Sequence, residues 1–437
     1  MSKVFRPWDV EQSWLLPPSV HDLVPPTHTA HFVRDLVRDD LDLGEIYAAY
    51  DEERGFPPFH PAMMTALLLY GYTQGLFSSR RIARACEERV DFMAVTAMQR
   101  PDFRTIAKFR LRHLRALAGL FVQVLQLCQR AGLVRLGHVA VDGTKVKANA
   151  SKHKAMSYAR MKEAEPQLAA LVQGWLDRSA AEDTTDEEAV GDQRGDELPT
   201  WVANRQARLE KIREAKAALE AEAKKAAAQD DDDSDDEPPT SSSPPHNDDG
   251  TPTDKAQRNF TDPESRILRT GDGYVQGYNA QVAVDAANQV IVAQFVVAAQ
   301  NDAPYLPRLL NEIRANTGHQ AREISADAGY CSEANLRSLA RRRVRAYVAA
   351  GRQRHAENPS PLKRTRRGLS ARMAARLRRG AHRSRYRLRK VTVEPVFGQI
   401  KAALGFARFL LRGLWKVTAE WGLVSTAHNL RKLAAAR

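Results

Sequence analysis

A chain of 437 residues, 43% of them hydrophobic, has room for two or three domains with substantial cores, which excludes a peptide or a single small module. Lys and Arg number 66 against 53 Asp and Glu, a formal net charge of +13 that favours a polyanionic partner, nucleic acid first. Cys86, Cys128 and Cys331 lie far apart in no Cys-x-x-Cys pair, which argues against a disulfide scaffold or a zinc cluster and fits a reducing compartment such as the cytoplasm. The opening MSKVFRPWDVEQSW has no apolar stretch of signal-peptide length. The most apolar helical run, Leu114 to Leu127, is interrupted by Arg115, Gln123 and Gln126 and falls short of roughly 18 residues. The expectation is a soluble, unexported protein with no membrane partner.

From the N-terminus to about Leu136 the pattern is helical after a start rich in proline (Pro17, Pro18, Pro25, Pro26). His60-Pro61 opens the run AMMTALLLYGY, since proline suits a first turn whose N–H would be unpaired anyway, and Gly75 ends it. Ser78 or Ser79 can cap the next helix, RRIARACEERVDFM, and Asp102 or Thr105 a long one reaching toward Gly132. Residues 1–136 are therefore expected to form an all-α domain. The stripe Leu114, Leu117, Leu120, Phe121 and Leu125 is core-facing.

At Gly137 the pattern changes. HVAVDGTKVKAN alternates and is rich in valine, which predicts a strand carrying Asp142 near its C-terminal end. Strand signals then stop. Ser151 to Leu176 and Trp201 to Ala228 are rich in Ala, Glu, Lys and Arg and predict surface helices or a helical hairpin. AAEDTTDEEAVGDQRGDE and QDDDDSDDEPPTSSSPPHNDDG are low in complexity and strongly acidic, which predicts disorder and a linker role. Residues 151–259 thus read as an insertion.

Strands resume at Gly273 to Asp285 and Gln289 to Val297, a hairpin across Ala-Ala-Asn. A helix over Pro307 to Thr317, a short strand Arg322 to Ala326 ending at Asp327, a helix Ser332 to Arg343, a strand Val344 to Val348 and helices from about Ser370 complete the pattern. The fold class is α/β in this domain and α+β overall: a mixed sheet flanked by helices, formed by 137–150 and 260–437 and interrupted after its first strand.

Asp142 and Asp327 follow strands, where an open α/β sheet places its ligands, and Glu394 opens onto a helix that can cross that edge. Mg²⁺ is a hard ion that binds oxygen and takes one or two carboxylates, so three acids can hold two ions. Each acid alone reads equally as a cap, turn or surface charge. Asp302 and Asp285, also near strand ends, read as turn or cap residues. The histidines show no metal-ligand spacing.

VAVDGTKVKANAS, TDPESRILRTGDGYVQGYNAQVAVD, ISADAGYCSEANL and VEPVFGQIKAALGFARFLLRGLWKVTAEWGLVSTAHNLRKL resemble the catalytic blocks of bacterial insertion-sequence DDE transposases. His60 to Val95 and Pro101 to Arg110 resemble the helical domain that precedes them in that family. The resemblance runs in order from about Phe5 to Leu433, the insertion excepted. It implies a ribonuclease-H-like catalytic domain and a catalytic, metal-binding triad of Asp142, Asp327 and Glu394. The implied cofactors are two Mg²⁺ ions, with Mn²⁺ as a substitute. The family's Lys seven residues after the Glu falls on Lys401. Its Tyr and Arg, seven and four residues before the Glu, fall on Arg387 and Lys390, with Tyr386 one residue out of register.

Between Arg337 and Lys390 there are 20 basic residues against one acid, Glu357. Beside a magnesium site, Arg376, Arg378, Arg379 and Arg383 read as phosphate contacts, along with Lys401, Lys390, Arg387 and Tyr386. Arg80, Arg81 and Arg84 on an amphipathic N-terminal helix are candidates for reading element ends, the competing reading being a packing or dimerisation face. The partners implied are double-stranded DNA, both element ends and target, and a second copy of the chain; the location implied is the bacterial cytoplasm at the nucleoid. The activity implied is phosphodiester hydrolysis followed by 3′-hydroxyl strand transfer. The alternatives are a nuclease of the same fold that never joins strands and a catalytically silent DNA-binding derivative.

Overall fold

The computed structural model describes residues 19–50, 58–186, 200–230, 245–247, 249–271, 273–350 and 368–437. The prolines Pro17 and Pro18, most of both acidic stretches and the arginine-rich residues 351–367 lie outside the described residues. The chain divides into two compact units, Met1–Ala131 with Ala403–Gly405 and Leu423–Arg437, and Gly132–Ala402 with Phe406–Gly422.

The first unit is helical: α1 Thr29–Asp39, α2 Gly44–Tyr47, α3 Pro61–Thr73, α4 Ser79–Glu88, α5 Val90–Thr96, α6 Phe103–Arg112 and α7 Leu114–Arg130. Met64 to Thr73 of α3 are buried without interruption, so this helix is apolar on all sides and is the unit's centre rather than a surface helix. Pro61 occupies its first turn, and the chain leaves it through Gly75 at φ +73°, where a Cβ would meet the Leu404 carbonyl oxygen at 2.5 Å. Leu114, Leu117, Leu120, Phe121 and Leu125 are all buried. Asp102 caps α6 through the Arg104 N–H at 2.7 Å.

Two expected helices are each broken in two. The long one divides at His113, whose ring stacks on Tyr50 at 5.3 Å and hydrogen-bonds its hydroxyl at 3.2 Å. The other divides at Arg89, which is extended and pairs with Asp91 at 2.5 Å. In both cases a tertiary or local polar contact overrides a continuous helical periodicity. Ser78 stands at the N-cap of α4 but its side chain makes no capping bond.

The second unit is built on a sheet of β1 His138–Lys147, β4 Arg266–Thr270, β5 Gly273–Asp285, β6 Ile291–Val297, β7 Glu323–Ala326 and β8 Arg345–Val348. β1 is central, antiparallel to β5 and parallel to β7, and β8 continues the parallel half. β4 and β6 pair with successive parts of the long β5. The helices α10 Leu306–Thr317, α11 Glu333–Arg341, α12 Leu369–Arg378 and α13 Gly380–Gly398 accompany the sheet; after α13 come a π turn over Gln399–Ala403 and α14 Leu414–Ala435.

Between β1 and β4, α8 Tyr158–Asp186 and α9 Thr200–Asp230 pack antiparallel, with Tyr158 on Glu220 and Glu165 on Arg213 and Lys216. Met156, Met161, Ile212, Ala215, Leu219 and Ala256 form a small core there. At the base, β2 Ala155–Ser157 pairs antiparallel with β3 Gln257–Asn259, so α8 starts later than the sequence pattern suggests. These three-residue strands, AMS and QRN, are too short and too polar to carry a periodic signal.

Candidate active site

The parallel pairing of β1 with β7 stops at Val141 and Ala326, so the next residues, Asp142 and Asp327, stand side by side; Asp327 leaves β7 at its carboxyl end, whereas Asp142, expected at a strand end, stays within β1, which runs on to Lys147 against β5. Asp142 is buried to 15% side-chain exposure and accepts the Gly143 N–H at 2.9 Å. Asp327 begins a 3-10 turn, Ala328–Tyr330, and accepts the Gly329 N–H at 2.9 Å. Burial raises both acids, pushing Asp142 up to about 7; Asp327 and Asp302 raise it further while Arg389 opposes. Asp327 is raised by burial and then by Asp302.

Glu394 sits on α13 with its side chain 45% exposed. It joins the pair through Arg389, one turn earlier on the same helix, whose guanidinium bonds Asp142 at 2.6 Å and Glu394 at 3.0 Å. Tyr386 lies beside Arg389, Asp327 and Asp142, all of which influence its hydroxyl. Tyr386 and Arg389 therefore keep the three-residue spacing of the expected Tyr and Arg, and both are displaced by one position toward the N-terminus. Lys390, matched to the Arg by spacing, is exposed, as is Arg387. Arg389 was not among the residues read from the sequence, and its signal was there: the slip of Tyr386 applied equally to its partner.

Lys401 lies in the π turn and reaches back to β1, donating to Thr144 Oγ1 at 2.6 Å and to the Lys145 carbonyl at 2.9 Å. Thr144 is two residues beyond Asp142 and so on the same face of the strand. Lys145, missed by sequence reasoning, is 3.5 Å from Asp302 and is influenced by Asp142 and Asp327. Burial depresses both lysines below their usual range.

Further along β1, a cleft of about 580 Å³ is lined by Lys147, Lys152, Lys154, Arg408, Arg412 and Tyr274, the last 63% exposed, and by no acid. On α12 and the start of α13, Arg378, Arg379 and Arg383 are exposed, whereas Arg376 lies over the Tyr347 ring at 5.2 Å. In the helical unit Arg80, Arg81 and Arg84 are exposed; Arg80 covers Phe103 at 5.1 Å and Arg84 pairs with Glu88 at 2.6 Å.

Among the described residues no three acids, histidines or cysteines converge closely enough to hold a metal ion. Glu394 is turned to Arg389, which leaves Asp142 and Asp327 as the near pair. Their chemistry fits a hard divalent cation, which takes oxygen donors and one or two carboxylates. Both are desolvated and mutually repelling, the state that a cation relieves and that Arg389 relieves here.

Two family models match the chain, a transposase DDE domain over residues 249–430 and a second transposase domain, DUF772, over residues 18–112. The chain belongs to the insertion-sequence DDE transposases. Its sheet, with β1 central between an antiparallel and a parallel half, is that of a ribonuclease-H-like fold, and its helical N-terminal region carries the second transposase domain. Neither a curated protein nor a solved structure gives a significant match. The DDE domain is that of a nuclease or transposase class of enzyme, one whose members generally use divalent metals. Among the described residues no helix is long and apolar enough to cross a membrane.

Proposed function

We propose that this transposase cuts phosphodiester bonds at the ends of its insertion sequence and joins the exposed 3′-hydroxyl to target DNA, with Asp142, Asp327 and Glu394 as the catalytic acids. The observation that carries the reading is the β1 to β7 register, which sets Asp142 and Asp327 side by side with Glu394 linked to them through Arg389. When bound, two Mg²⁺ ions, or Mn²⁺ in their place, supply activation of a water or 3′-hydroxyl and stabilisation of the leaving oxygen. Asp142 and Asp327 would hold one ion between them, and Glu394 would complete the second site once Arg389 releases it.

The remaining residues hold DNA. The Lys401 ammonium, fixed on Thr144 and the Lys145 carbonyl, sits where a scissile-strand phosphate would lie. The acid-free cleft beyond it suits the phosphates of the adjoining strand, with Tyr274 available for stacking. Arg378, Arg379 and Arg383 add sequence-independent contacts, and Arg80, Arg81 and Arg84 are assigned to recognition of element ends. Two ends must be held together, which favours a homodimer. Residues 1–136 form the DNA-binding part in this reading, 137–150 and 260–437 the catalytic part, and 151–259 the insertion.

The test is incubation of the purified protein with Mg²⁺ and inverted-repeat DNA, with nicks and joined products mapped on each strand. Cleavage without joining at any end would favour the nuclease reading. Binding without turnover would favour a silent derivative.

A further inference from the structure

Asp302 begins the 3-10 turn Ala303–Tyr305, yet its side chain makes no capping bond there. The neighbouring Asn301 does that work, accepting the Ala303 N–H at 3.2 Å. Asp302 instead turns toward β5. Its Oδ1 accepts from Asn279 Nδ2 at 2.5 Å and Gln281 Nε2 at 2.7 Å, with Lys145 Nζ at 3.5 Å. Gln281 is in turn held by the fully buried Tyr330, whose hydroxyl donates to its Oε1. Asp302 is thus a turn residue through its backbone, its carbonyl accepting the Tyr305 N–H at 3.1 Å, but not through its side chain: a capping acid spends its oxygens on local N–H groups, and this one spends Oδ1 on a strand.

Oδ2 accepts no hydrogen bond among the described residues. A Cβ built on Gly329 would lie 3.3 Å from Oδ2 and 3.0 Å from Asp327 Oδ1. The two oxygens thus face each other across a glycine within about 6 Å, close enough for two carboxylates to share the field of one cation. A Cβ on Gly143 would come within 2.7 Å of Asp302 Oδ1 and 2.8 Å of Asn279 Oδ1, so a second glycine keeps the other side clear. Asn279 is wholly buried, and its Oδ1 finds no hydrogen-bond partner among the described residues. A buried carboxamide oxygen without a donor, beside carboxylates, matches the chemistry of a hard cation or its bound water. Asp142, Asp302, Asp327 and Glu394 stand here with three cations, Lys145, Arg389 and Lys401.

We propose that Asp302 is a fourth acid of this site, a positioning residue whose charge, fixed beside Asp327 by the Asn279 and Gln281 carboxamides, tightens the hold of Asp142 and Asp327 on a divalent cation. The inference rests on the assignment of those two aspartates as cation ligands. Asp302→Asn removes the charge and keeps the oxygen that the two carboxamides need. Its new amide would face Asp327 Oδ1, an acceptor, so the fold has no reason to weaken.

The experiment measures Mn²⁺ binding to the full chain by electron paramagnetic resonance, alongside the melting temperature in chelator. Asp302→Asn should bind Mn²⁺ about tenfold or more weakly while melting in chelator at or above the parent temperature. Lys145→Gln, which removes the opposing charge from the same place, should bind Mn²⁺ more tightly than the parent. Asp302→Asn binding within twofold of the parent would overturn the inference alone, provided the parent's site is lost in Asp327→Asn. A parent with no Mn²⁺ site that depends on Asp327 would overturn the proposed function and this inference with it. Were Asp302→Asn to melt early, Lys145→Gln decides: no gain in affinity overturns the role of charge.

Discussion

The β1–β5 pair buries aspartates in opposite ways at its end, where Asp285 faces Val139, and at its middle, where Asp142 faces Val282. At its end Asp285 accepts backbone N–H groups from Arg135 at 3.2 Å, Leu136 at 2.6 Å and Ala287 at 2.8 Å, and among the described residues its main influences are burial, these N–H groups and Arg135. At the middle Asp142, Asp302 and Asp327 crowd one another, and besides single backbone N–H groups and the Asn279 and Gln281 carboxamides their charge is compensated by two cationic side chains, Arg389 and Lys145. Burial raises the carboxyl at both places. Only at the second do neighbouring acids add to it. Fixed N–H groups make a carboxylate part of the frame, while displaceable cations leave it able to exchange partners, which is what a metal-dependent reaction asks of it.

The comparison predicts its largest difference in activity. Asp142→Asn, Asp327→Asn and Glu394→Gln should each lower cleavage and joining by about a thousandfold or more while DNA binding stays within a few fold. Residual cleavage within about tenfold of the parent, in gel assays on end DNA, would remove that residue from the triad. Next comes pH. The folded carboxyl of Asp142, at about 7, lies above its unfolded value, so the folded state binds that proton more tightly. In chelator, stability should therefore fall as pH rises from about 4 to about 7, by up to about 4 kcal/mol at the upper end. Urea melts at pH 5 and pH 8 should show a smaller fall in Asp142→Asn than in the parent.

At the framework end, Asp285→Ala should cost about 3 kcal/mol, since it strands buried N–H donors, and leave the folded fraction able to cleave. A melt within 1 kcal/mol of the parent, roughly the worth of one hydrogen bond, would show that water replaces the carboxylate there. The smallest effects are on DNA affinity. Arg378, Arg379 and Arg383 replaced by Gln should weaken binding to all DNA and flatten its dependence on salt by about one unit of log–log slope for each lost phosphate contact. Adding Arg376→Gln should change little, because that guanidinium is committed to Tyr347. Arg81→Gln, compared on end and random DNA at two salt concentrations, should reduce the preference for ends by roughly 1 to 3 kcal/mol if α4 reads bases. Equal losses on both DNAs would move end recognition elsewhere.

Much of this arrangement was legible in the sequence because it follows from short-range pattern. The alternation in HVAVDGTKVKAN announces the strand that carries Asp142, though that strand runs five residues past it, the short strand before Asp327 announces the second acid at a strand end, and the hairpin from Gly273 to Val297 announces their neighbour. What escaped is three-dimensional. Arg389 was hidden by a one-residue slip in spacing on the N-terminal side of Glu394, which it shares with Tyr386, whereas the offset on the other side, to Lys401, holds. Asp302 was visible but had an ordinary local explanation, and only the orientation of Asn279 and Gln281 on a distant strand rejects it for the side chain. His113 and Arg89 break helices through contacts that periodicity cannot register.

The short β2–β3 pair bears on how the chain finds its fold. β1 is synthesised long before its partners, which begin only at Gly277 and Glu323, so the central strand must wait for distant chain. Once Ala155 pairs with Asn259, the insertion is closed at its base, and the loop between β1 and β5 shrinks from roughly 130 residues to roughly 25. At about 0.6 kcal/mol for each doubling of length, early closure lowers the entropy cost of docking β5 on β1 by about 1.5 kcal/mol. The hairpin of α8 and α9, rich in local contacts, is the element suited to form first. Disrupting its packing, for example with Ile212→Asp, should slow refolding of the sheet more than it lowers the sheet's final stability.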